Sequence, residues 1–276
     1  MLWPLMACLL LPWLLVYLGL HIVRREVIFV DLALAQVAAL GTCTAILLKY
    51  EPHDWQSYGF SIGFTVVGAA IFSLTRSSHH QRVPQEALIG IVYVVAAAGG
   101  ILLLSNSAHG AEELRETLVG ELLYLQKPAQ VLKPFALYLA IGAIHFVFRK
   151  KFLAISFDPE KAEAEKISMR GWDFLFYALF GLAVTTFVPI GGVLLVFSFL
   201  IVPAVCANFL AEKLNSMLII GCLIAIVCSV GGLYASYKIS LPAGATIVCA
   251  LGAALLVTAA VARLKKTNHA PPESSP

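Results

Sequence analysis

The stretch FVDLALAQVAALG, residues 29–41, decides the fold class of this chain. Its thirteen residues are apolar apart from Asp31 and Gln36. With its apolar flanks it is long enough for a helix across the ~30 Å hydrocarbon core of a membrane, which takes about 20 residues. A carboxylate and an amide within such a helix need a structural or functional reason, because polar groups are expensive in lipid.

The rest of the chain has the same character. Of its 276 residues 60% are apolar and 13% are charged, whereas soluble domains carry about 25% charged residues. We predict an all-α, polytopic integral membrane protein with eight or nine transmembrane helices, eight if one of the two spans around Pro189 is only partial. The candidate spans are residues 2–22, 27–49, 57–75, 87–105, 131–149, 171–188, 190–211, 216–237 and 241–263.

Basic residues divide unevenly between the loops. With nine spans, one set of loops holds fourteen Lys and Arg residues and the opposite set holds five. The more basic set is expected in the cytoplasm, which places the N-terminus outside and the C-terminus inside the cell's inner membrane. The net charge of +3 reflects this bias and gives no reason to expect nucleic-acid binding. All six cysteines lie in apolar spans, where we expect packed thiols rather than disulfides or metal ligands.

Residues 1–263 are predicted to form one transmembrane domain, and the Pro- and Ser-rich residues 264–276 a disordered cytoplasmic tail. The first span lacks the basic start and the cleavage pattern of a secretion signal, so we expect it to be retained. The longest outer loop, residues 106–130, is either an acidic vestibule for cations or an ordinary solvated loop. Its titratable residues include His109, Glu112, Glu113, Glu116 and Glu121.

The longest inner loop, residues 150–170, reads KKFLAISFDPEKAEAEKISMR. Its second half predicts a short amphiphilic helix, with Asp158 as the N-cap, Pro159 in the first turn and good helix formers after them. A charged helix on the cytoplasmic face suits the docking of another protein, and a solvated linker is the alternative.

Proline interrupts several spans. Pro203 lies inside LLVFSFLIVPAVCANFLA and frees a backbone carbonyl. Pro189 with Gly191 and Gly192 is predicted to break the chain near the outer face. Broken helices at membrane depth occur where protein or a water-filled cavity satisfies the backbone, which favours a translocation path over a simple anchor.

The sequence has no motif for enzymatic chemistry. It lacks GxxxxGK[ST], HExxH, GxSxG and paired Cys/His ligand spacing. The pair His79-His80 is expected in a solvated turn, and His145 at the membrane interface. We therefore predict a transport protein that is not an enzyme and binds no permanent cofactor.

Five stretches follow one another along the chain in a recognisable order. They are GLHIVRREVIFVDLALAQVAALG (19–41), EALIGIVY (86–93), FDPEKAEAEKI (157–167), GVLLV (192–196) with Pro203-Ala204 and Ala207 after it, and the weaker LPAGATIV (241–248). Together they resemble the membrane permeases of ABC importers for zinc, manganese and iron, over about residues 19–250.

The resemblance implies a homodimeric permease that moves a divalent metal ion, Zn²⁺ or Mn²⁺, by alternating access. A separate cytoplasmic ATPase would dock on it, and an extracytoplasmic solute-binding protein would deliver the ion. By the same resemblance, the residues that meet the ATPase are Phe157, Asp158, Pro159, Glu160 and Ala162. Lys166 departs from the family, which usually has a glycine there and thus a ready left-handed helix end.

The second span departs further. The family commonly has DxxxH, an Asp and a His one helical turn apart that can hold a metal ion together. Here Leu32 and Gln36 stand at those positions, and Asp31 lies about 140° around the helix from Gln36. Asp31 pairs with Arg24 or Arg25, lines the inner half of the ion path, or joins Gln36 in a site shared by two protomers.

Two further residues are candidates for the path. Glu86 begins a span beside the cytoplasm, where an acid either serves the path or favours the helix dipole. Pro203, which interrupts a later span, is the other candidate. The candidate path residues are thus Asp31, Gln36, Glu86 and Pro203, and no residue is assigned as a metal ligand. Because the expected His is missing, a permease for another cargo, such as a metal chelate, is an alternative; so is a stand-alone secondary transporter.

Overall fold

The computed structural model describes residues 2–51, 54–75, 83–105, 120 and 122–267, with 265–267 described as backbone only. These residues form eleven α-helices and one short 3₁₀ helix, and the described part of the chain contains no strand. The helices are α1 (Leu2–Leu10), α2 (Pro12–Arg25), α3 (Val30–Leu47), α4 (Trp55–Leu74), α5 (Gln85–Leu104), α6 (Ala129–Val147), α7 (Arg149–Phe157), α8 (Pro159–Ala164), α9 (Met169–Leu210), α10 (Leu214–Ile239) and α11 (Ala243–Thr267), with the 3₁₀ helix at Leu122–Tyr124.

Eight helical segments of this part of the chain are long and apolar enough to cross a membrane. The first, Leu2–Arg25, is α1 and α2 together, interrupted where Pro12 cannot donate a backbone hydrogen bond. The prediction of an all-α polytopic membrane protein is thus confirmed. The last helix runs to Thr267, past the predicted domain end at 263, and residues 268–276 lie outside the described residues.

The long helix α9 folds back on itself. Its 42 residues would be about 63 Å long as a straight helix, twice the hydrocarbon thickness. Arg25 of α2 lies 2.7 Å from Asp173 near one end of α9, and the neighbouring Arg24 lies 3.1 Å from Asn208 near the other end. Both ends of α9 therefore meet the last turn of α2, and Gly192 between them is the point of reversal.

The backbone at Gly192 makes this reversal possible. Its φ of 75° and ψ of 159° lie in a region that is essentially closed to residues with a side chain. Across the turn, the rings of Phe187 and Phe199 have centroids only 6.3 Å apart, whereas twelve residues of straight helix span about 18 Å. Two antiparallel arms result, residues 169–191 and 192–210, and counting them separately gives nine crossing segments in the described part of the chain.

The bundle has two distinct ends. We call the basic end the one that holds Arg24, Arg25, α7 and α8. At the opposite end Tyr58 of α4 lies 3.0 Å from Thr186 of α9, close to the reversal. Seven residues named in the sequence analysis lie outside the described residues. They are His79, His80, His109, Glu112, Glu113, Glu116 and Glu121.

Helix α9 is the centre of the packing. In its apolar 18-residue stretch 78% of the residues are buried, whereas in that of α11 only 11% are buried. Glycines allow close approach where its arms meet the neighbouring helices. A Cβ on Gly19 of α2 would overlap the Leu200 backbone of α9, and one on Gly221 of α10 would lie 3.2 Å from the carbonyl oxygen of Pro203. Small residues at helix contacts are how membrane helices gain packing without a hydrophobic driving force.

Gly192→Ala is expected to lower the free energy of unfolding by about 1–3 kcal/mol, because alanine is strained at this φ and ψ. The thermal unfolding midpoint of the detergent-purified protein measures the effect. Gly142→Ala is the matched control, since Gly142 is helical and has open space where a Cβ would point. Equal midpoints for the two variants would contradict the reversal at Gly192.

Candidate translocation cavity and docking segment

A cavity of about 980 Å³ lies between α3, α4, α5, α6 and the first arm of α9. Alanines of α3 and α5 leave the space open, and the wall is a mixture of apolar and polar side chains, with Asp54 and Lys133 as its charged members. The side chains on the wall that carry a polar group are Gln36, Thr42, Cys43, Asp54, Trp55, Tyr58, Ser61, Gln130, Lys133, Thr185 and Thr186.

Gln36 is the predicted path residue that lines this cavity. Within the described part of the chain its amide makes no hydrogen bond, so it stays available to a cargo. Two nearby hydroxyl groups already donate hydrogen bonds to backbone carbonyls. Ser61 donates to the Ala38 carbonyl at 2.9 Å, and Thr186 donates to the Leu182 carbonyl at 2.8 Å. What the cavity offers is therefore mainly oxygen lone pairs.

Asp31 lies in the first turn of α3, buried and away from the cavity wall. Of the three alternatives for Asp31, the pairing with Arg24 or Arg25 is not found, because those side chains contact Asn208 and Asp173 instead. Among the described residues, Asp31 Oδ1 has no hydrogen-bond partner. The angular separation read from the sequence agrees with the placement of Gln36 on the wall and Asp31 off it.

Glu86 connects α5 to α3. Its Oε1 accepts a hydrogen bond of 3.0 Å from the backbone N–H of Phe29, the residue before α3 begins. Its carboxylate therefore sits at the positive end of the α3 dipole, next to the first turn of α3 that holds Asp31. Like Asp31, Glu86 lies near the basic end and off the cavity wall.

Pro203, the fourth candidate, is buried in the second arm of α9 and packs against α10 at Gly221. It is not part of the cavity wall. The described residues contain no group of three or more His, Cys, Asp or Glu side chains placed to hold a metal ion. A metal ion in the cavity would meet chiefly oxygen donors, among them the Asp54 carboxylate, and oxygen donors suit Mn²⁺ better than Zn²⁺.

The candidate docking segment, residues 157–167, contains the short helix that the sequence predicts, which is α8. Asp158 caps α8 by accepting a 3.2 Å hydrogen bond from the backbone N–H of Lys161, and Pro159 is in the first turn, as predicted. Asp158, Pro159 and Glu160 are exposed at the basic end, Phe157 is half-buried, and Ala162 is buried.

Lys166 takes the left-handed conformation that a glycine would take at the end of α8. Its φ is 55°, its N–H donates to the Glu163 carbonyl at 2.9 Å, and the Ile167 N–H donates to the Ala162 carbonyl at 3.0 Å. This pair of bonds closes the helix as in a glycine-capped end, at a cost of about 1–2 kcal/mol for the side chain.

The structure also contains a buried polar cluster that the sequence analysis missed. Ser156 Oγ lies 2.8 Å from both Arg25 Nε and His21 Nδ1, and Arg25 Nη1 lies 2.7 Å from Asp173 Oδ1. The cluster joins α2, α7 and α9 beside the docking segment. Asp173 within an apolar span was its one visible signal in the sequence.

His145 requires a correction. It was expected at the membrane interface, but it is 1% exposed. The reason is that Phe152 of α7 stacks on its ring at a centroid distance of 4.2 Å, while Tyr17 and Phe176 meet it edge-on. Helix α7 turns back over the end of α6 and covers the imidazole.

These features are those of a membrane permease, and the comparisons with known proteins agree. The model of the ABC 3 transport family matches residues 1–262, and the chain belongs to that family. It is a membrane-spanning permease subunit of an ABC transporter.

The chain is 30% identical over 198 residues to the manganese transport system membrane protein MntC of Listeria innocua, covering 70% of both chains. Its fold is similar to PsaBC from Streptococcus pneumoniae in complex with Fab, with a TM-score of 0.77, 23% identity and coverage of 93% and 90% of the two chains. It is also similar to a putative metal-chelate type ABC transporter in an inward-facing conformation, with a TM-score of 0.71, 18% identity and coverage of 94% and 85%.

Gln36→Ala is expected to raise the Mn²⁺ concentration for half-maximal uptake about tenfold, because it removes a free amide oxygen from the cavity wall. Uptake by cells that express the chain with its ATPase measures this. Thr44→Ala on the same helix is the control and should match the wild type, because Thr44 is not on the cavity wall and its hydroxyl already bonds to the Leu40 carbonyl. Wild-type uptake by Gln36→Ala would remove Gln36 from the path.

Proposed function

We propose that this chain is the translocating subunit of an ATP-driven importer of a divalent metal ion, Mn²⁺ first and Zn²⁺ second. The observation that carries the proposal is the cavity with a free Gln36 amide in a chain of the ABC 3 transport family. A similar protein bears the name of a manganese transport system membrane protein, and Mn²⁺ prefers the oxygen donors that this cavity offers.

A separate cytoplasmic ATPase would supply the energy, since the sequence has no phosphate-binding loop of its own. Its docking site would be the exposed face of α8 with Phe157 and Asp158. The cap and the left-handed end hold this short helix in one conformation, so a partner meets a preformed surface.

The basic end would lie on the cytoplasmic side of the inner membrane, with the N-terminus outside the cell and the C-terminus inside it. An extracytoplasmic solute-binding protein would then deliver the ion at the opposite end. A second copy of the chain would complete the cavity in a homodimer. The weak burial of α5 supports this, because only 17% of the residues in its apolar 18-residue stretch are buried.

Within this path we assign Gln36 to the ion in the cavity, and Asp31 with Glu86 to the exit toward the cytoplasm. Both acids are near the basic end, and each has one oxygen without a hydrogen-bond partner among the described residues. A cation close to the two acids would favour their ionised form. Pro203 would act by loosening the second arm of α9 rather than by contact with the ion.

A metal chelate is the second candidate cargo. The cavity of about 980 Å³ is at the upper end of pockets that hold small organic molecules, far larger than a bare ion needs. Uptake of free Mn²⁺ in competition with Mn²⁺ bound to a small chelator separates the candidates: inhibition by the chelator favours the bare ion, and stimulation favours the chelate.

The double variant Phe157→Ala and Asp158→Ala is expected to lose most of the ATPase that co-purifies with the tagged chain, while it still inserts into the membrane. Removal of the cap frays α8, and removal of the ring changes the docking surface. The exposed Lys127→Ala at the opposite end is the control and should keep the ATPase. Undiminished ATPase in the double variant would overturn the docking site.

A further inference from the structure

The cluster of Arg25, Ser156 and Asp173, which we call the junction, ties three helices together at their ends. Arg25 is the last residue of α2, Ser156 is in the last turn of α7 and Asp173 is near the start of α9. The guanidinium uses Nε for Ser156 and Nη1 for Asp173, at 2.8 Å and 2.7 Å. Because a guanidinium is a rigid plane, these two bonds fix α7 and α9 relative to each other.

The ion pair of the junction is buried, so its loss would be strongly destabilising. The side chains of Arg25 and Asp173 are 5% and 0% exposed, and the Arg25 guanidinium also lies 3.9 Å from the centroid of the Phe176 ring. A buried charge without its partner is strongly unfavourable, so α2 and α9 are expected to move as a unit here.

On one side, the junction adjoins the docking segment. Ser156 immediately precedes Phe157, whose ring lies 5.4 Å from the His21 ring and 5.6 Å from the Arg24 guanidinium. A displacement of Phe157 or Asp158 by a docked protein therefore reaches Ser156 within two residues of the chain. From Ser156 it reaches Arg25 through one hydrogen bond.

On the other side, the junction connects to two of the five helices that line the cavity, α3 and the first arm of α9. Residues 26–29 form a tight link from α2 to α3: Glu26 has a φ of 58°, and the Val27 and Val30 N–H groups donate to Ile22 and Val27 carbonyls at 3.4 Å and 3.2 Å. So short a link transmits a shift of Arg25 to α3, which carries Gln36. Through Asp173, the same shift reaches the first arm of α9, which carries Thr185 and Thr186 on the cavity wall.

We propose that Arg25, held between Ser156 and Asp173, is a positioning residue that couples the docking segment to α3 and to the first arm of α9, and so to the shape of the cavity. The inference rests on the proposed function, because it needs an ATPase that acts on the docking segment. A merely structural cluster would affect assembly and all activities together; a coupling device affects transport per ATP hydrolysed.

The test uses the full complex of the tagged chain, its co-purified ATPase and the solute-binding protein in proteoliposomes, with ATP hydrolysis and Mn²⁺ uptake measured in the same sample. Ser156→Ala removes the acceptor of Arg25 Nε, and with it the contact of the hydroxyl with His21 Nδ1, and leaves every charge in place. We expect it to lower uptake per ATP about tenfold while the hydrolysis rate stays near that of the wild type. Ser156→Thr keeps the hydroxyl and should restore the ratio.

Ser229→Ala is the matched control, the same change at a buried serine of α10 whose hydroxyl bonds within its own helix to the Ala225 carbonyl at 2.6 Å. It should leave uptake per ATP unchanged. A wild-type ratio in Ser156→Ala overturns the coupling role, and so does a parallel loss of assembly, hydrolysis and uptake. If the wild-type complex itself shows no ATP-dependent Mn²⁺ uptake, the proposed function fails instead.

Discussion

The buried ion pair between Arg25 and Asp173 is the contact on which the arrangement of the basic end depends. Removing one partner of such a pair costs about 3–5 kcal/mol, so the last turn of α2 and the first turns of α9 are fixed to each other. Arg24, one residue earlier, holds Asn208 at the far end of α9. With both ends of a 42-residue helix held at one place, its middle has to reverse, and Gly192 is the residue whose backbone permits it.

The reversal also places the first arm of α9 on the cavity wall. The first arm of α9 runs along α3 and α4 toward the opposite end and presents Thr185 and Thr186 to the cavity, while the second arm returns along α2 and packs on Gly19 and Gly221. The second arm is thus a packing element and the first arm a cavity wall. Pro203 lies on the packing side, which separates it from the cavity that the first arm lines.

Local features of the structure were predictable from the sequence. Runs of apolar residues predict the spans, and the adjacent Asp158 and Pro159 predict the start of α8. Both predictions succeed because hydropathy and helix capping depend only on residues that are close in the chain. The separation of Asp31 from Gln36 followed from the helical period alone. The break near Pro189 and Gly192 was predicted as well.

Features that depend on distant residues were not predictable. Arg25 and Asp173 are 148 residues apart, and no local pattern marks them as partners. The burial of His145 depends on α7 folding over it, and the cavity wall combines side chains from five helices. The pairing of Asp31 with an arginine was a reasonable electrostatic expectation, but Arg25 meets Asp173 and Arg24 meets Asn208.

The central claim is that ATP hydrolysis by a partner drives a metal ion through this chain. Accumulation of radioactive Mn²⁺ in proteoliposomes that contain the chain with its ATPase and solute-binding protein tests it most directly. The account predicts accumulation that requires ATP and persists when ionophores collapse the proton and sodium gradients. Accumulation that follows an ion gradient without ATP would contradict it.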